Sequence, residues 1–143
     1  MIKWNNLNTL SSFENLSKVE RVKLAEVMSG ENGADRVKKY TIPMAAGLSY
    51  NYAAKQVDDD VLEALTKLAE EAQLAEKFEA LYNGEVINTG EKRLVLHHMT
   101  RGQLGEAVEA DGVDKRTFYT EQQKKIADFA NKVHAGEITN AAG

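Results

Sequence analysis

Residues 62–101, LEALTKLAEEAQLAEKFEALYNGEVINTGEKRLVLHHMTR, decide the fold that the sequence predicts. Apolar side chains recur here at intervals of three and four residues, which places them on one face of a helix. These positions are Leu62, Leu65, Leu68, Ala69, Ala72, Leu74, Phe78 and Leu81. The periodicity pauses at Gln73, so the stretch predicts two packed helices with a short break between them.

A glycine and a threonine mark the next two boundaries. Gly84 can adopt the left-handed conformation that follows a helix end, because it has no Cβ. Thr89 can accept a hydrogen bond from the free amides of a following helix, and Glu91 places a negative charge in its first turn. With Leu94 and Met99 among its apolar residues, the segment after Thr89 predicts a third helix.

The same stretch contains an ordered series of residues that matches a known pattern, A-M-F-x-G-E-x-I-N followed by T-E-x-R-x-V-L-H-x-x-L-R. The matching residues are Ala80, Leu81, Tyr82, Gly84, Glu85, Ile87, Asn88, Glu91, Arg93, Val95, Leu96, His97 and Arg101. In this series the chain resembles the N-terminal segment of the glucose-6-phosphate isomerase family. Gly90 replaces the family's usual Thr or Ser, so capping there falls to Thr89 or Asn88.

Weaker matches extend the resemblance over residues 35–143. Arg36, Tyr40 and Thr41 fit the family's D-x-x-R-F-x-x-F-S, and Tyr52 fits its D-Y-S-K-N, although the serine and the in-register lysine are lost. Residues 125–143 resemble the segment that precedes the family's glycine-rich turn. The resemblance therefore implies an N-terminal piece of a several-fold longer enzyme.

Composition narrows the class of protein. The chain has 143 residues, 43% hydrophobic and 28% charged, which is typical of one folded domain or part of one. A formal charge of −4 without a basic stripe indicates no nucleic-acid partner. There is no cysteine, which fits a reducing compartment and leads us to expect a cytoplasmic protein. A signal peptide and the roughly 20 apolar residues of a membrane span are both missing, so no membrane association is expected.

Capping patterns predict the helices outside the central stretch. The S-x-x-E patterns at 11–14 and 17–20 indicate either one helix broken near Ser17 or two short helices, followed by a stop at Ser29-Gly30 and a turn at Asn32-Gly33. Glycines between 102 and 112 indicate a loop with one short helical turn. A further capping box at 120–123 predicts a final helix that ends at Gly136. Its apolar stripe is Ile126, Phe129, Ala130 and Val133.

These elements predict a mainly α chain that forms a single helical segment. Residues 1–33 are expected to form N-terminal helices, residues 34–57 an extended connector, and residues 58–143 a helical core. Alternation of apolar and polar residues over 48–52 predicts at most one short strand or hairpin, near 48–56. The resemblance implies that the segment precedes the family's α/β sugar-isomerase domains.

Metal sites find little support in the sequence. His97 and His98 lie near Glu91, but adjacent side chains on a helix point about 100° apart and do not share one ion as residues at i and i+4 do. We expect a packed His97 and a surface or interface His98 instead. The triplet 58–60 is all aspartate, yet it lacks the spacing of a calcium loop, so Asp58 is predicted to cap the Leu62 helix.

Other catalytic patterns are also missing. The chain has no cysteine nucleophile, no G-x-S-x-G elbow and no phosphate-binding glycine loop, so its glycines are interpreted as turns and caps. The carboxylates at Glu70, Glu71, Glu76 and Glu79 are interpreted as the solvated face of a helix that pairs with basic residues such as Lys67. The aromatic residues are interpreted as core or interface anchors.

The family resemblance implies a specific activity for the parent enzyme. It interconverts glucose 6-phosphate and fructose 6-phosphate through a cis-enediol, without a cofactor, using a glutamate base with histidine, lysine and arginine, in a homodimer whose partner supplies a histidine. None of those motif positions falls within residues 1–143. We therefore expect no catalytic, cofactor-binding or metal-binding residue here, and no activity of the segment alone. The alternative is a free-standing helical protein-interaction module of the same ancestry.

Overall fold

Helices provide most of the regular structure and short antiparallel strand pairs lie between them, so the prediction of a mainly α chain is confirmed. The computed structural model describes residues 1–29, 32–102 and 105–142. The predicted stop at Gly30, the loop residues 103–104 and the terminal Gly143 lie outside the described residues. Contacts divide the chain into two compact units, Met1–Leu74 and Ala75–Gly143.

The regular elements of the described ranges are as follows. The α-helices are α1 (Ser11–Lys18), α2 (Leu24–Val27), α3 (Asn32–Lys39), α4 (Asp59–Glu71), α5 (Leu74–Tyr82) and α6 (Lys115–His134). The antiparallel pairs are β1 (Thr41–Pro43) with β2 (Ser49–Asn51), β3 (Val86–Asn88) with β4 (Arg93–Leu94), and β5 (Glu109–Ala110) with β6 (Val113–Asp114). Short 3-10 helices occupy Leu7–Thr9, Ala45–Gly47 and His97–Arg101.

In the first unit, α1 packs along α4. Val61, near the start of α4, is fully buried, and Ala72, which follows the last residue of α4, is also buried. Leu65, which the sequence places on the core face, is 39% exposed. The predicted helix and its break are confirmed, because α4 ends at Glu71 and Gln73 has a φ of 54°. Of the other residues on the predicted face, Leu62, Leu68 and Ala69 are half-buried.

The start of α1 is capped from a distant part of the chain. Oε2 of Glu71 accepts the Ser12 amide at 2.8 Å, and Oε1 accepts the Ser11 amide at 3.3 Å. The position before the helix is Leu10, whose side chain offers no acceptor. The capping box predicted at 11–14 is therefore wrong, and Ser17 lies inside α1 rather than at a helix start. Of the two predicted alternatives, one broken helix or two short helices, the structure has the two short helices α1 and α2.

A β-hairpin follows α3. The strand predicted over 48–52 is confirmed as β2, but its partner β1 was not predicted, and Pro43 is tolerated because it ends an edge strand. Since β3–β4 and β5–β6 form as well, the prediction of at most one strand or hairpin is wrong. These pairs are two or three residues long per strand, which leaves the chain mainly helical.

Arg36 fixes the segment that follows this hairpin. Its Nε donates to the Ala53 carbonyl at 2.9 Å, and its Nη2 donates to the carbonyls of Lys55 at 3.0 Å and Val57 at 2.7 Å. The guanidinium also lies 4.5 Å from the ring centroid of Tyr40, which is buried. Arg36 and Tyr40, two residues of the family pattern, thus hold the backbone that leads into α4.

The turn predicted at Asn32-Gly33 is wrong, because α3 begins at Asn32. Gly33 is buried, and a Cβ there would lie 2.5 Å from the Met28 carbonyl oxygen. Close backbone approach, rather than a turn, explains the glycine. The helix also reaches into the segment 34–57 that was predicted as an extended connector.

In the second unit, the third helix predicted after Thr89 is wrong. The side chain of Asn88 accepts the Glu91 amide at 3.1 Å and forms a turn, after which β4 pairs with β3. The 3-10 helix His97–Arg101 follows β4. Asn88, one of the two predicted capping residues, therefore closes a hairpin instead of starting an α-helix. Met99, from the 3-10 helix, is fully buried.

The last helix starts earlier than predicted. The Asp114 carboxylate accepts the amides of Arg116 at 3.1 Å and Thr117 at 3.3 Å, together with the Thr117 hydroxyl at 2.6 Å. Asp114 is therefore the cap of α6, and the capping box predicted at 120–123 is wrong. The Thr120 hydroxyl instead donates to the Arg116 carbonyl within the helix. The predicted end is confirmed, since α6 stops at His134 and Gly136 has a φ of 72°.

Candidate functional site

The two adjacent histidines lie in the second unit. The His98 ring stacks on Tyr82 with 5.0 Å between centroids, and its Nε2 donates to the Tyr82 carbonyl at 3.1 Å. Because a carbonyl oxygen only accepts, Nε2 must carry a hydrogen. His97 is exposed, so the predicted packing of His97 is wrong, and His98, predicted to lie at a surface or an interface, is half-buried. The reason is that both residues lie on a 3-10 helix whose side chains have different directions from those of an α-helix.

A buried arginine meets the same tyrosine. Arg116 is 6% exposed; its Nη2 donates to the Tyr82 carbonyl at 3.0 Å, and its Nε donates to the Glu106 carbonyl. It forms no ion pair with any described residue, and its Nη1 has no hydrogen-bond partner. Gly105 has a φ of 98°, and a Cβ there would lie 3.0 Å from Nη2. The Tyr82 carbonyl thus joins α5, α6 and the 3-10 helix.

The aspartates at 58–60 serve the start of α4. Oδ1 of Asp58 accepts the Val61 amide at 3.0 Å, which confirms the predicted cap. Asp59 pairs with Lys39 at 2.6 Å, and the hydrogen bond from Lys39 lowers the pKa of Asp59. Among the described residues, no group of three or more His, Cys, Asp or Glu is arranged to hold a metal ion.

The carboxylates of α4 and α5 are exposed, but one of them, that of Glu71, has a structural role. Glu71 caps α1, and the Ser12 side chain and amide, followed by Ser11, lower the pKa of Glu71. Lys67 pairs with Glu63 at 2.6 Å, in the preceding turn. Glu70, Glu76 and Glu79 lie on the solvent side, as predicted for a solvated face.

Large apolar side chains remain uncovered on α6. Ile126 is 68% exposed, Phe129 is 60% exposed and Val133 is 42% exposed, and their spacing places them on one side of the helix. We call these three residues the α6 stripe. The sequence predicted the stripe as a packing surface, yet nothing in the described second unit covers it. No helix in the described ranges is both long and apolar enough to cross a membrane.

The first unit has an uncovered apolar surface of its own. In the β1–β2 hairpin and its connection, Ile42 is 47% exposed, Met44 is 55% exposed, Leu48 is 65% exposed and Tyr50 is 48% exposed. Exposed apolar clusters of this kind are typical of surfaces that contact another polypeptide segment. Each unit therefore presents apolar side chains that its own described residues leave in solvent.

Comparison with known proteins defines the class to which these features belong. The family model described as phosphoglucose isomerase matches residues 51–143. The chain therefore belongs to the phosphoglucose isomerase family, and the resemblance stated from its motifs is confirmed.

Similar proteins extend the match over almost the whole chain. The glucose-6-phosphate isomerase of Treponema denticola is 47% identical over 147 residues, which cover 99% of this chain and 28% of that protein. The glucose-6-phosphate isomerase of Treponema pallidum is 38% identical over 146 residues, and that of Borreliella afzelii is 39% identical over 145 residues. The chain spans 27% of each of these two relatives.

The residues with the most specific roles were not evident from the sequence. Arg116 and Glu71 act across 34 and 60 positions of chain, respectively, so no local pattern indicates either contact. Arg36 was matched to the family pattern without a role. Tyr82 was matched likewise, although its carbonyl accepts two of the hydrogen bonds that organise the second unit.

Proposed function

We propose that the chain is the N-terminal portion of a glucose-6-phosphate isomerase, the enzyme that interconverts glucose 6-phosphate and fructose 6-phosphate in glycolysis and gluconeogenesis. The observation that carries the proposal is the 47% identity to such an enzyme over 99% of this chain but only 28% of the relative. A cytoplasmic homodimer that acts on sugar phosphates is part of the proposal.

We propose that the catalytic groups of the reaction lie outside this chain. Moving a proton between C2 and C1 through a cis-enediol requires a base at the substrate carbon and a charged site for the phosphate. The carboxylates of α4 and α5 lie on an exposed face, and the Glu71 carboxylate accepts hydrogen bonds from the amides at the start of α1. The proposal therefore assigns no catalytic or cofactor-binding residue to residues 1–143, and the reaction uses no cofactor.

The role proposed for this segment is structural. The α6 stripe and the apolar hairpin of the first unit are exposed in the described residues. Burial of apolar surface stabilises by about 25 cal/mol per Å² removed from water, so surfaces of this kind favour contact with further polypeptide. We assign them to contact with the remaining domains of the same enzyme and with its homodimer partner.

An activity measurement tests the proposal. The purified 143-residue chain is assayed for conversion of fructose 6-phosphate beside a protein whose reading frame continues past codon 143. We expect turnover only from the longer protein. Robust turnover by the 143-residue chain alone would overturn the proposal that the catalytic groups lie outside residues 1–143. A stop codon directly after codon 143 would instead favour the alternative hypothesis, that the chain is a free-standing helical protein-interaction module.

A further inference from the structure

A cleft of about 440 Å³ opens beside the 3-10 helix of the second unit. Its volume lies in the range of small-molecule sites, which is roughly 300–1,000 Å³. The side chains that line it include Leu81, Tyr82, Val95, His97, His98 and Arg101. These residues come from α5, from the segment after β4 and from the 3-10 helix, so the cleft is built where three segments meet.

The polar groups of the cleft favour a negative ligand. Arg101 is exposed and forms no ion pair with any described residue, and none of the described residues that line the cleft is acidic. Arg116 adds a buried positive charge next to it, because its Nη2 shares the Tyr82 carbonyl with His98. The chain as a whole carries a formal charge of −4, so this cluster is a local concentration of positive charge on an acidic chain.

The apolar groups favour a ligand with a planar or apolar body. Leu81 and Val95 supply aliphatic surface, and the stacked rings of Tyr82 and His98 supply planar surface, with 27° between the ring planes. Nε2 of His98 is already bound to the Tyr82 carbonyl, so the ring is held in position. His97 is exposed, and its ring can donate an N–H to an anion.

We infer that this cleft binds a small organic anion whose carboxylate or phosphate lies against Arg101 and His97 and whose planar apolar body lies against Tyr82 and His98. An arginine fork and an imidazole N–H are suitable donors for either anionic group, and a charge-assisted hydrogen bond is stronger than a neutral one. The inference concerns binding alone and does not depend on the proposed isomerase activity.

Imidazole NMR signals provide a direct readout, because the chain has three histidines and His134 lies outside the cleft lining. Benzoate, phenyl phosphate and the neutral benzamide are titrated into the 143-residue chain. We expect saturable shifts of His97 and His98 with an anion and none with benzamide, while His134 stays unchanged. Saturation by both anions assigns a general anion site, and saturation by phenyl phosphate alone assigns a phosphate ester site.

Two arginine variants supply the matched control. Arg101→Gln removes the charge in the cleft, and we expect about tenfold weaker binding, as for the loss of one charge-assisted hydrogen bond. Arg93→Gln removes an exposed charge on β4, outside the cleft, and leaves binding unchanged. Circular dichroism verifies that both variants fold. Non-saturable shifts, equal shifts of His134, or unchanged binding by Arg101→Gln would each overturn the inference.

Discussion

Gly84 and Gly136 occupy the same position after a helix end, with φ values of 75° and 72°, but their surroundings differ. A Cβ on Gly136 would meet nothing within 4 Å, whereas a Cβ on Gly84 would overlap the side chain of Val108, which is buried. Gly84 therefore combines a conformational requirement with a packing requirement. Gly136 has the conformational requirement alone.

Alanine substitution separates these two requirements. We expect Gly136→Ala to lower the free energy of unfolding by about 1 kcal/mol, the approximate cost of a left-handed non-glycine residue. We expect Gly84→Ala to lower it by about 3 kcal/mol, because overpacking adds to the same cost. Urea unfolding of both variants measures the difference. Equal losses would show that contact with Val108 contributes nothing.

At the scale of elements, the cap of α1 links stability to pH. The pKa of Glu71 is lowered in the folded chain from an ordinary value of 4.5, and the largest cause is the Ser12 side chain. The unfolded chain therefore binds a proton at a higher pH than the folded chain does. The stability that Glu71 contributes is present above about pH 4.5 and is lost as the pH falls through its lower folded-state pKa.

Glu71→Gln tests this link. At about pH 7 we expect the variant to unfold about 2–4 °C below the parent chain, a typical effect of a weakened helix cap in a chain of this size. The difference should shrink as the pH falls from about 4.5 through the lower folded-state pKa of Glu71, because the parent carboxylate becomes protonated over that range as well. The exposed neighbour Glu70 provides the control, and Glu70→Gln should change neither melting temperature nor its pH dependence. A difference between parent and Glu71→Gln that persists under acid would contradict the assignment.

Several boundaries that depend on local chemistry were predicted correctly, although the local Asp114 cap of α6 was missed. The break at Gln73, the Asp58 cap and the glycines after α5 and α6 each act within a few residues, so the sequence contains the whole signal. The mainly α class follows from the same local periodicities.

Most of the elements that depend on pairing or on distant contacts were not predicted, although β2 was. The segment after Thr89 has apolar residues that suit a helix, but Asn88 forms a turn and β4 pairs with β3 instead. The β5–β6 hairpin was missed although Asp111-Gly112, with φ values of 54° and 73°, is a typical hairpin turn. The cleft beside His98 could not be predicted, because the contacts of Tyr82 with Arg116 arise only when α5 and α6 meet.

At the scale of the whole molecule, the uncovered apolar side chains determine how the chain behaves alone. The α6 stripe has three large side chains in solvent, and the first unit exposes a second apolar surface on its hairpin. A chain that spans 27–28% of its relatives can leave in solvent surfaces that further polypeptide would cover. We therefore expect concentration-dependent self-association of the 143-residue chain and binding of a dye that reports exposed apolar surface.

Paired serine substitutions on α6 test whether the stripe drives that association. Ile126→Ser with Phe129→Ser removes its two most exposed members, and we expect the mean mass from light scattering to fall towards 15.8 kDa with weaker dye binding. Lys124→Ser with Asp128→Ser changes two exposed polar residues of the same helix and keeps the net charge, so association should persist. The helix is retained in both variants, because none of the four side chains is buried. A stable monomer before any substitution would instead favour a free-standing interaction module, since such a chain would not need further domains to cover its surface.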